Sequence, residues 1–131
     1  MKSLIVDDEF SARLLLQTVL SRFGEAHVAV DGNEAVEAVK MAIEQKSHYD
    51  LICLDIMMPN LDGHGALEAI RDLEEENGIL LGRGAKVVMT TAVSDPKTFF
   101  AAFREQCDYY LIKPIDRQKL EQYLRESSLI K

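Results

Sequence analysis

Residues 3–23 read SLIVDDEFSARLLLQTVLSRF, and this stretch contains one copy of the unit from which the whole chain is built. It opens with the short apolar run Ser3–Val6, which is typical of a buried β-strand. From Phe10 to Phe23 the apolar side chains recur at helical spacing, which predicts an amphipathic helix. The acidic tripeptide Asp7–Glu9 separates the two elements. The stretch therefore predicts a strand and a helix joined by a strongly acidic turn.

The same order of an apolar run and an amphipathic stretch recurs four more times along the chain. The later strands are predicted at residues 27–30, 51–54, 87–89 and 109–112. The later helices are predicted over 33–46 and 65–76, after Asp95-Pro96, and after the N-cap Asp116. Because most of the strand runs are apolar throughout, helices must cover both faces of the sheet. The chain is therefore predicted to be an α/β protein with a doubly wound, five-stranded parallel sheet.

Length and composition limit the class of protein. The 131 residues predict a single domain, and 47% hydrophobic with 28% charged residues are typical of a globular protein. Fifteen Lys and Arg against 22 Asp and Glu give a net charge of −7, which should repel nucleic acids and anionic membranes. No apolar run approaches the roughly 20 residues of a membrane span, and no secretory signal is visible. Cys53 and Cys107 are too few for a disulfide framework or a zinc site. These features predict a soluble cytoplasmic protein that by itself binds neither nucleic acid nor membrane.

Reactive side chains follow four of the five predicted strands. In an open parallel sheet, ligands bind beyond the carboxyl ends of the strands, so these side chains should share one edge. They are Asp7 and Asp8 after the first strand, Asp55 after the third, Thr90 and Thr91 after the fourth, and Lys113 after the fifth. The sequence therefore predicts one site that combines carboxylates, a hydroxyl group and an ammonium group.

The predicted cluster of Asp7, Asp8 and Asp55 needs a compensating charge. Two like charges about 4 Å apart repel by about 4 kcal/mol at an effective dielectric constant of roughly 20, so the cluster must raise its pKa values or bind a cation. Ligands that are all oxygen favour Mg²⁺, with Mn²⁺ as a substitute. The alternative is that Asp7 and Asp8 only cap the following helix, although two acids and Glu9 exceed what one cap needs.

Such a site can carry out phosphoryl transfer to a carboxylate. Asp55 is a competent nucleophile toward phosphorus, and it needs no general base because a carboxylate is ionised at about pH 7. Lys113, a divalent ion and a threonine hydroxyl can each stabilise the negative charge on one phosphoryl oxygen. These residue types predict Asp55 as the phosphoryl acceptor, with Lys113 and a threonine as its catalytic partners.

Five motifs together resemble the receiver domain of the response regulators of bacterial two-component signalling, a family that includes the chemotaxis regulators. The motifs are LIVDDE (4–9), DGNEA (31–35), DIMMPNLDG (55–63), MTTA (89–92) and YLIKP (110–114). The resemblance covers about residues 2–126. It implies a flavodoxin-like fold with strand order 2-1-3-4-5 and a single receiver domain over residues 1–131.

The resemblance also implies roles for the site residues. Asp55 would accept its phosphoryl group from a sensor histidine kinase or a histidine phosphotransfer protein. Asp8 and Asp55 would bind Mg²⁺ directly, Asp7 would act through a water molecule, and the backbone carbonyl of Met57 would complete the protein ligands. Lys113 would contact the phosphoryl group, and the bond between this lysine and the following proline is often cis in the family.

Thr91 and Tyr110 match the switch pair of the family. Thr91 is chosen over Thr90 because the family's hydroxyl residue directly precedes an alanine. Phosphorylation would then change the face built from the helix after Asp95, the strand 109–112 and the last helix, and this face would signal to an unidentified partner protein. The resemblance is also compatible with a dimer that forms on phosphorylation. The alternative is that Tyr110 is simply a half-buried aromatic residue.

The last predicted helix ends near Arg125, so we expect a stand-alone receiver without an output domain. It would catalyse only its own phosphorylation and slow dephosphorylation. Three other classes of protein fit the sequence less well. A flavodoxin-type electron carrier would bind an FMN phosphate, which Asp7–Glu9 would repel. A hydrolase with an aspartyl-phosphate intermediate would need an acid–base residue where Met57 stands. A receiver reduced to an interaction module would have lost site residues, and all of them are present.

The chain departs from the family pattern in three places. Glu105-Gln106-Cys107 replaces a run of small residues before the last strand, which affects how the preceding helix ends. The loop over 74–85 is longer than usual. Finally, the apolar residues Met57 and Val93 stand two positions past the phosphoryl acceptor and the switch threonine, where family members control the approach of water. This last feature predicts slow to moderate self-dephosphorylation.

Overall fold

Five strands and four helices are present in a computed structural model that describes residues 1–58, 60–80, 82–92 and 107–131. The elements are β1 (Ser3–Val6), α1 (Phe10–Leu20), β2 (Ala26–Ala29), α2 (Gly32–Glu44), β3 (Leu51–Asp55), α3 (Gly63–Glu76), β4 (Lys86–Thr91), β5 (Tyr109–Ile112) and α4 (Arg117–Glu126). The helix predicted after Asp95-Pro96, with its Phe99, Phe100 and Phe103, and the departure at Glu105-Gln106 lie outside the described residues, as does Val93.

All five strands are parallel and lie in the order β2-β1-β3-β4-β5. The registers bring the carboxyl ends of neighbouring strands to one edge: Val6 pairs with Leu54, Asp55 with Thr90, and Thr91 with Ile112. The doubly wound fold class and its strand order are therefore confirmed. This topology gathers the residues that follow the strands at a single edge of the sheet.

Two apolar layers flank the sheet because successive side chains of a strand point to opposite faces. Leu4 and Val6 belong to the layer that α2 and α3 cover. Ile5, between them, belongs to the layer that α1 and α4 cover. Leu4, Ile5 and Val6 are all buried, which explains why the strands are apolar throughout instead of alternating with polar residues.

Side chains of aspartate residues cap the starts of α2, α3 and α4. Glu34 Oε1 accepts a hydrogen bond from Val30 N at 3.3 Å. The Asp31 carboxylate accepts one from Glu34 N at 2.9 Å and so caps α2. Asp62 caps α3 in the same way, and Asp116 accepts bonds from two backbone N–H groups at the start of α4.

Helix α1 begins at Phe10, as predicted, but it lacks a side-chain cap and ends earlier than predicted. Its N-cap is Glu9, and no side chain caps it, so the alternative that Asp7 and Asp8 serve as helix caps is wrong. The helix ends at Leu20 instead of Phe23 because the chain tightens there, with Phe23 N donating to Leu20 O at 2.9 Å. Phe23 still packs against the core, which is why the apolar periodicity continued past the helix.

Gly63 allows α3 to start directly against β3. A Cβ at this position would overlap the carbonyl oxygen of Asp55 and lie 2.7 Å from Ile56 Cα. We expect Gly63→Ala to lower the free energy of unfolding by about 1–3 kcal/mol, measured by urea denaturation, because backbone atoms must move. Gly65→Ala is the control, since its Cβ would come too close only to the flexible end of the Leu61 side chain and would lie at an ordinary contact distance of 3.4 Å from Asp62 Oδ1. Equal losses in both variants would contradict this account.

Among the helices that the described part of the chain contains, none has the length and apolar character that crossing a bilayer requires.

Candidate functional site

Three carboxylates meet at the edge where β1 and β3 end. Asp7, Asp8 and Asp55 each offer an oxygen atom, and these atoms lie within 4.8 Å of one another. Asp7 and Asp55 are 1% and 4% exposed, whereas Asp8 is open to solvent. The cluster follows from the topology, because β1 and β3 are neighbours that run in the same direction. Two buried acids and one exposed acid therefore face a common space.

Lys113 reaches this cluster from the end of β5. Its Nζ donates a hydrogen bond to Asp7 Oδ2 at 2.8 Å and lies 3.4 Å from Asp55 Oδ2. The lysine is held from behind, since its backbone N–H donates to the Thr91 carbonyl at 2.6 Å. The Lys113–Pro114 peptide bond is cis. The structure thus brings the predicted ammonium group into direct contact with two of the predicted carboxylates.

Backbone N–H groups hold the buried carboxylates in place. Asp7 Oδ1 accepts a hydrogen bond from Glu9 N at 2.9 Å, and Asp55 Oδ1 accepts one from Met57 N at 3.3 Å. Since Lys113 binds Asp7 Oδ2, both oxygens of Asp7 already accept a hydrogen bond. The carboxylate of Asp55 is held less tightly than that of Asp7, because its hydrogen bond to Met57 N is longer and Lys113 lies farther from it.

The electrostatics of the site are unbalanced. Burial raises the pKa of Asp55 to about 6, and the nearby charge of Asp7 adds to this, while Lys113 and the Met57 N–H act in the opposite direction. Burial by itself would lower the pKa of Lys113, but its hydrogen bond to Asp7 and the charges of Asp55 and Asp7 outweigh burial, so its pKa is raised. Three carboxylates against one ammonium group leave an excess of negative charge, which a divalent cation can offset.

The donor set fits Mg²⁺. All of the candidate ligands among Asp7, Asp8 and Asp55 are carboxylate oxygens, which hard cations prefer. Mg²⁺ usually keeps several water molecules, and the exposure of Asp8 leaves room for them.

The remaining predicted site residues surround this cluster. Met57 follows β3 and is 67% exposed. Its backbone N–H donates a hydrogen bond to Asp55 Oδ1. Thr91, the last residue of β4, is fully buried. Tyr110 is half-buried and packs against the apolar layer of α2 and α3. Because Met89 pairs with Tyr110, strand alternation places Tyr110 and Thr91 on the same face of neighbouring strands.

Arg13 is a residue of this site that reasoning from the sequence missed. It lies one turn into α1, and its guanidinium donates a hydrogen bond to the Asp7 carbonyl at 2.8 Å. A basic residue six positions after an acidic strand end is a signal that could have indicated it. Arg13 adds a second cation at the edge of the acidic cluster.

The raised pKa of Asp55 predicts how stability depends on pH. Because the folded pKa of about 6 exceeds the 3.8 of an ordinary aspartate, folding takes up a proton between these values. In metal-free buffer, the free energy of unfolding should therefore fall as the pH rises from about 4 to about 6, and this group should have no further effect above that range. We expect Asp55→Asn to remove this slope and to stabilise the protein by about 1–3 kcal/mol at neutral pH.

Urea denaturation in EDTA across this pH range measures the effect. Glu37→Gln, on the exposed surface of α2, is the control for loss of one negative charge. If Asp55→Asn is no more stable than this control at neutral pH, the unfavourable charge on Asp55 is disproved.

Comparison with known proteins agrees with the fold and the site. The family model of the response regulator receiver domain matches residues 3–125. A probable transcriptional regulator, ycf27, of Cyanophora paradoxa is 37% identical over 125 residues, which are 95% of this chain and 46% of that protein. A 120-residue part of the sensor histidine kinase GacS of Pseudomonas protegens is 36% identical and covers 91% of this chain, but only 12% of that protein. The chain thus spans about half the length of the first of these relatives.

The fold is also similar to solved structures. A chain of the CheX-CheY-BeF3-Mg²⁺ complex from Borrelia burgdorferi matches with a TM-score of 0.78 and 28% identity, covering 100% of this chain and 90% of that one. The family match spans nearly the whole chain. The chain therefore belongs to the response regulator receiver domain family, the signalling domains of two-component systems.

Proposed function

We propose that this receiver domain accepts a phosphoryl group on Asp55, in a Mg²⁺-dependent reaction, from the phosphohistidine of a sensor histidine kinase or a histidine phosphotransfer protein. The observation that carries the proposal is the contact of Lys113 with two buried carboxylates beside a third, exposed one. Receiver domains interact with histidine kinases and phosphotransfer proteins, and a sensor kinase is among the relatives.

The proposed reaction needs only groups that the site contains. An oxygen of the Asp55 carboxylate attacks phosphorus, the P–N bond to the donor histidine breaks, and the histidine nitrogen leaves with the bonding electron pair. Asp55 is mostly ionised at neutral pH despite its raised pKa of about 6, so no general base is required. Lys113 faces Asp55 from 3.4 Å and can neutralise one oxygen of the transferred group.

Asp8, Asp55 and the backbone carbonyl of Met57 would bind Mg²⁺ directly, and Asp7 would act through a water molecule. When bound, Mg²⁺ offsets the repulsion between the carboxylates and the incoming phosphoryl oxygens. The hydrogen bonds to both oxygens of Asp7 support its indirect role. We propose that Mn²⁺ can substitute, since it accepts the same oxygen ligands.

Thr91 and Tyr110 would form the switch. Their common face on neighbouring strands supports this role, because a hydroxyl that moves toward Asp55 would change the space available to the tyrosine ring. The signal would pass through the surface that includes β5 and α4, which carry Tyr110 and the last core residues. Its target would be a partner protein or, on phosphorylation, a second copy of this chain.

We propose further that this domain by itself binds no nucleic acid or membrane and works in the cytoplasm. Its net charge of −7 supports the absence of nucleic-acid binding. The two cysteines are free and buried, which suits a reducing compartment. Its catalysis would be limited to its own phosphorylation and dephosphorylation.

The test is incubation with acetyl phosphate, with MgCl₂ or with EDTA, followed by intact mass spectrometry. We expect one phosphoryl adduct per chain with Mg²⁺ and almost none with EDTA. A chain that stays unmodified in Mg²⁺, while an established receiver is labelled in parallel, would refute the proposal.

The phosphorylated form should lose its phosphoryl group slowly. The apolar, exposed Met57 beside Asp55 offers no group that could activate a water molecule. After removal of acetyl phosphate, we expect the adduct to persist for minutes or longer at room temperature, as followed by mass spectrometry. Complete loss within seconds would contradict this expectation.

A further inference from the structure

A cavity of about 900 Å³ lies at the end of the sheet where the strands begin. Asp55 lies at the opposite end, where the strands finish. The lining of the cavity includes Lys86, the first residue of β4, and Asp108, which directly precedes β5. The C-terminal half of α3 and the following loop complete the described wall. The volume falls in the range of ligand sites, roughly 300–1,000 Å³. The proposed phosphoryl transfer makes no use of this cavity.

The inner part of the cavity is charged but internally compensated. Arg71 donates hydrogen bonds to Glu74 Oε1 at 2.7 Å and to Asp108 Oδ2 at 3.1 Å. Glu74 Oε2 also accepts a bond from Ala85 N at 2.8 Å, and Lys86 Nζ lies 3.8 Å from Asp108 Oδ1. These carboxylates therefore need no external cation.

The part of the lining that α3 contributes near the solvent carries acidic side chains whose charges no described residue compensates. They are Glu68, Asp72 and Glu75, and their spacing places them on one face of the helix. All three are exposed, and none forms a side-chain ion pair with any residue that the structure describes. Like charges at this spacing repel one another along a helix. A cationic ligand would relieve that repulsion.

Another part of the lining is apolar. Leu80 is 72% exposed, which makes it the most exposed large apolar side chain of the described residues, and half-buried Ile79 lies next to it. Both residues line the cavity together with Ala85. The lining of the cavity therefore combines exposed acidic side chains, apolar side chains and charged groups that pair with one another.

We propose that this cavity docks a basic, amphipathic segment of a partner protein. An apolar side chain of that segment would enter against Leu80 and Ile79, while flanking Lys or Arg residues would pair with Glu68, Asp72 and Glu75. A nucleic acid or an anionic membrane would be repelled, because the chain carries a net charge of −7 and the cavity lining carries exposed acidic side chains. Since the cavity and Asp55 lie at opposite edges, the partner can stay bound whether or not Asp55 is phosphorylated.

A fluorescein-labelled helical peptide of about twelve Lys and Leu residues, with its leucines on one face, is the probe. Fluorescence anisotropy measures its binding to the full chain. We expect saturable binding that weakens by about tenfold or more in Leu80→Ser and in the double variant Glu68→Gln/Glu75→Gln. Circular dichroism checks that each variant is folded.

Two matched controls separate the cavity from the rest of the surface. Glu37→Gln/Glu44→Gln removes two charges at the same seven-residue spacing on α2. Leu14→Ser removes an exposed leucine from α1. Both should change the affinity by less than about twofold. Asp55→Asn should bind the peptide like the wild type, so this test is independent of phosphorylation.

Three results would overturn the proposal. The first is an equal loss of affinity in the cavity and control charge pairs, which would mean attraction by net charge alone. The second is equally tight binding of a peptide in which serine replaces every leucine. The third is the absence of saturable binding at millimolar peptide concentrations.

Discussion

The Asp55→Asn variant should acquire no phosphoryl group from acetyl phosphate in the presence of Mg²⁺, whereas the wild type should be labelled nearly completely. An amide oxygen carries no formal charge and is a far weaker nucleophile toward phosphorus than a carboxylate. Asn keeps the shape of the side chain, so the neighbouring carboxylates stay in place. We expect the initial labelling rate to fall by at least about a thousandfold, because the attacking group itself is lost. Intact mass spectrometry over a time course measures the rate.

Asp72→Asn is the matched control for this prediction. It makes the same chemical change on the exposed surface of α3, near the opposite edge of the sheet. Its labelling rate should equal that of the wild type. Full labelling of Asp55→Asn, or labelling that peptide mapping assigns to another residue, would remove Asp55 as the acceptor.

The second large effect concerns Mg²⁺ binding through Asp8. Asp8→Asn should weaken Mg²⁺ binding by about a hundredfold or more, because it replaces a charged ligand with a neutral one. Asp8 is exposed, so this change should leave the fold intact. Titration calorimetry with MgCl₂ measures the affinity without any need for phosphorylation. At about one millimolar Mg²⁺, labelling by acetyl phosphate should fall in parallel, and higher Mg²⁺ should partly restore it.

Glu9→Gln controls for the loss of one negative charge at the neighbouring position. Glu9 is also exposed, and its carboxylate accepts a hydrogen bond from Ser11. We expect its Mg²⁺ affinity to stay within about threefold of the wild type, the size of a screened surface effect. If both variants lose Mg²⁺ affinity equally, Asp8 is not a ligand and only adds to the negative charge that attracts Mg²⁺ to the surface.

The succession of elements was predictable because each signal is local. Apolar runs, helical periodicity and cap residues such as Asp116 depend on neighbours a few positions away. Predicted helix ends were less accurate, as α1 shows, because Phe23 packs against the core from a turn. Apolar spacing reports burial, and burial does not require that the backbone be helical.

The meeting of Asp7, Asp8 and Asp55 also follows from local signals combined with topology. Once five parallel strands are predicted, the residues after them must share one edge. The strand order came from the resemblance to receiver domains, and the registers of the sheet agree with it. The roles of these residues in phosphorylation stay predictions until the variants above are measured.

The sequence of this chain was sufficient to predict which residue types gather at the reactive edge, because strand polarity and length decide that. It could not predict how they share protons and hydrogen bonds. That Lys113 binds Asp7 more closely than Asp55, and that burial raises the pKa of Asp55 to about 6, depend on distances between atoms from different strands. The cavity between α3 and the start of β4 depends likewise on how distant segments pack. Electrostatic and packing energies change steeply over a few ångströms, and only the folded chain sets those separations.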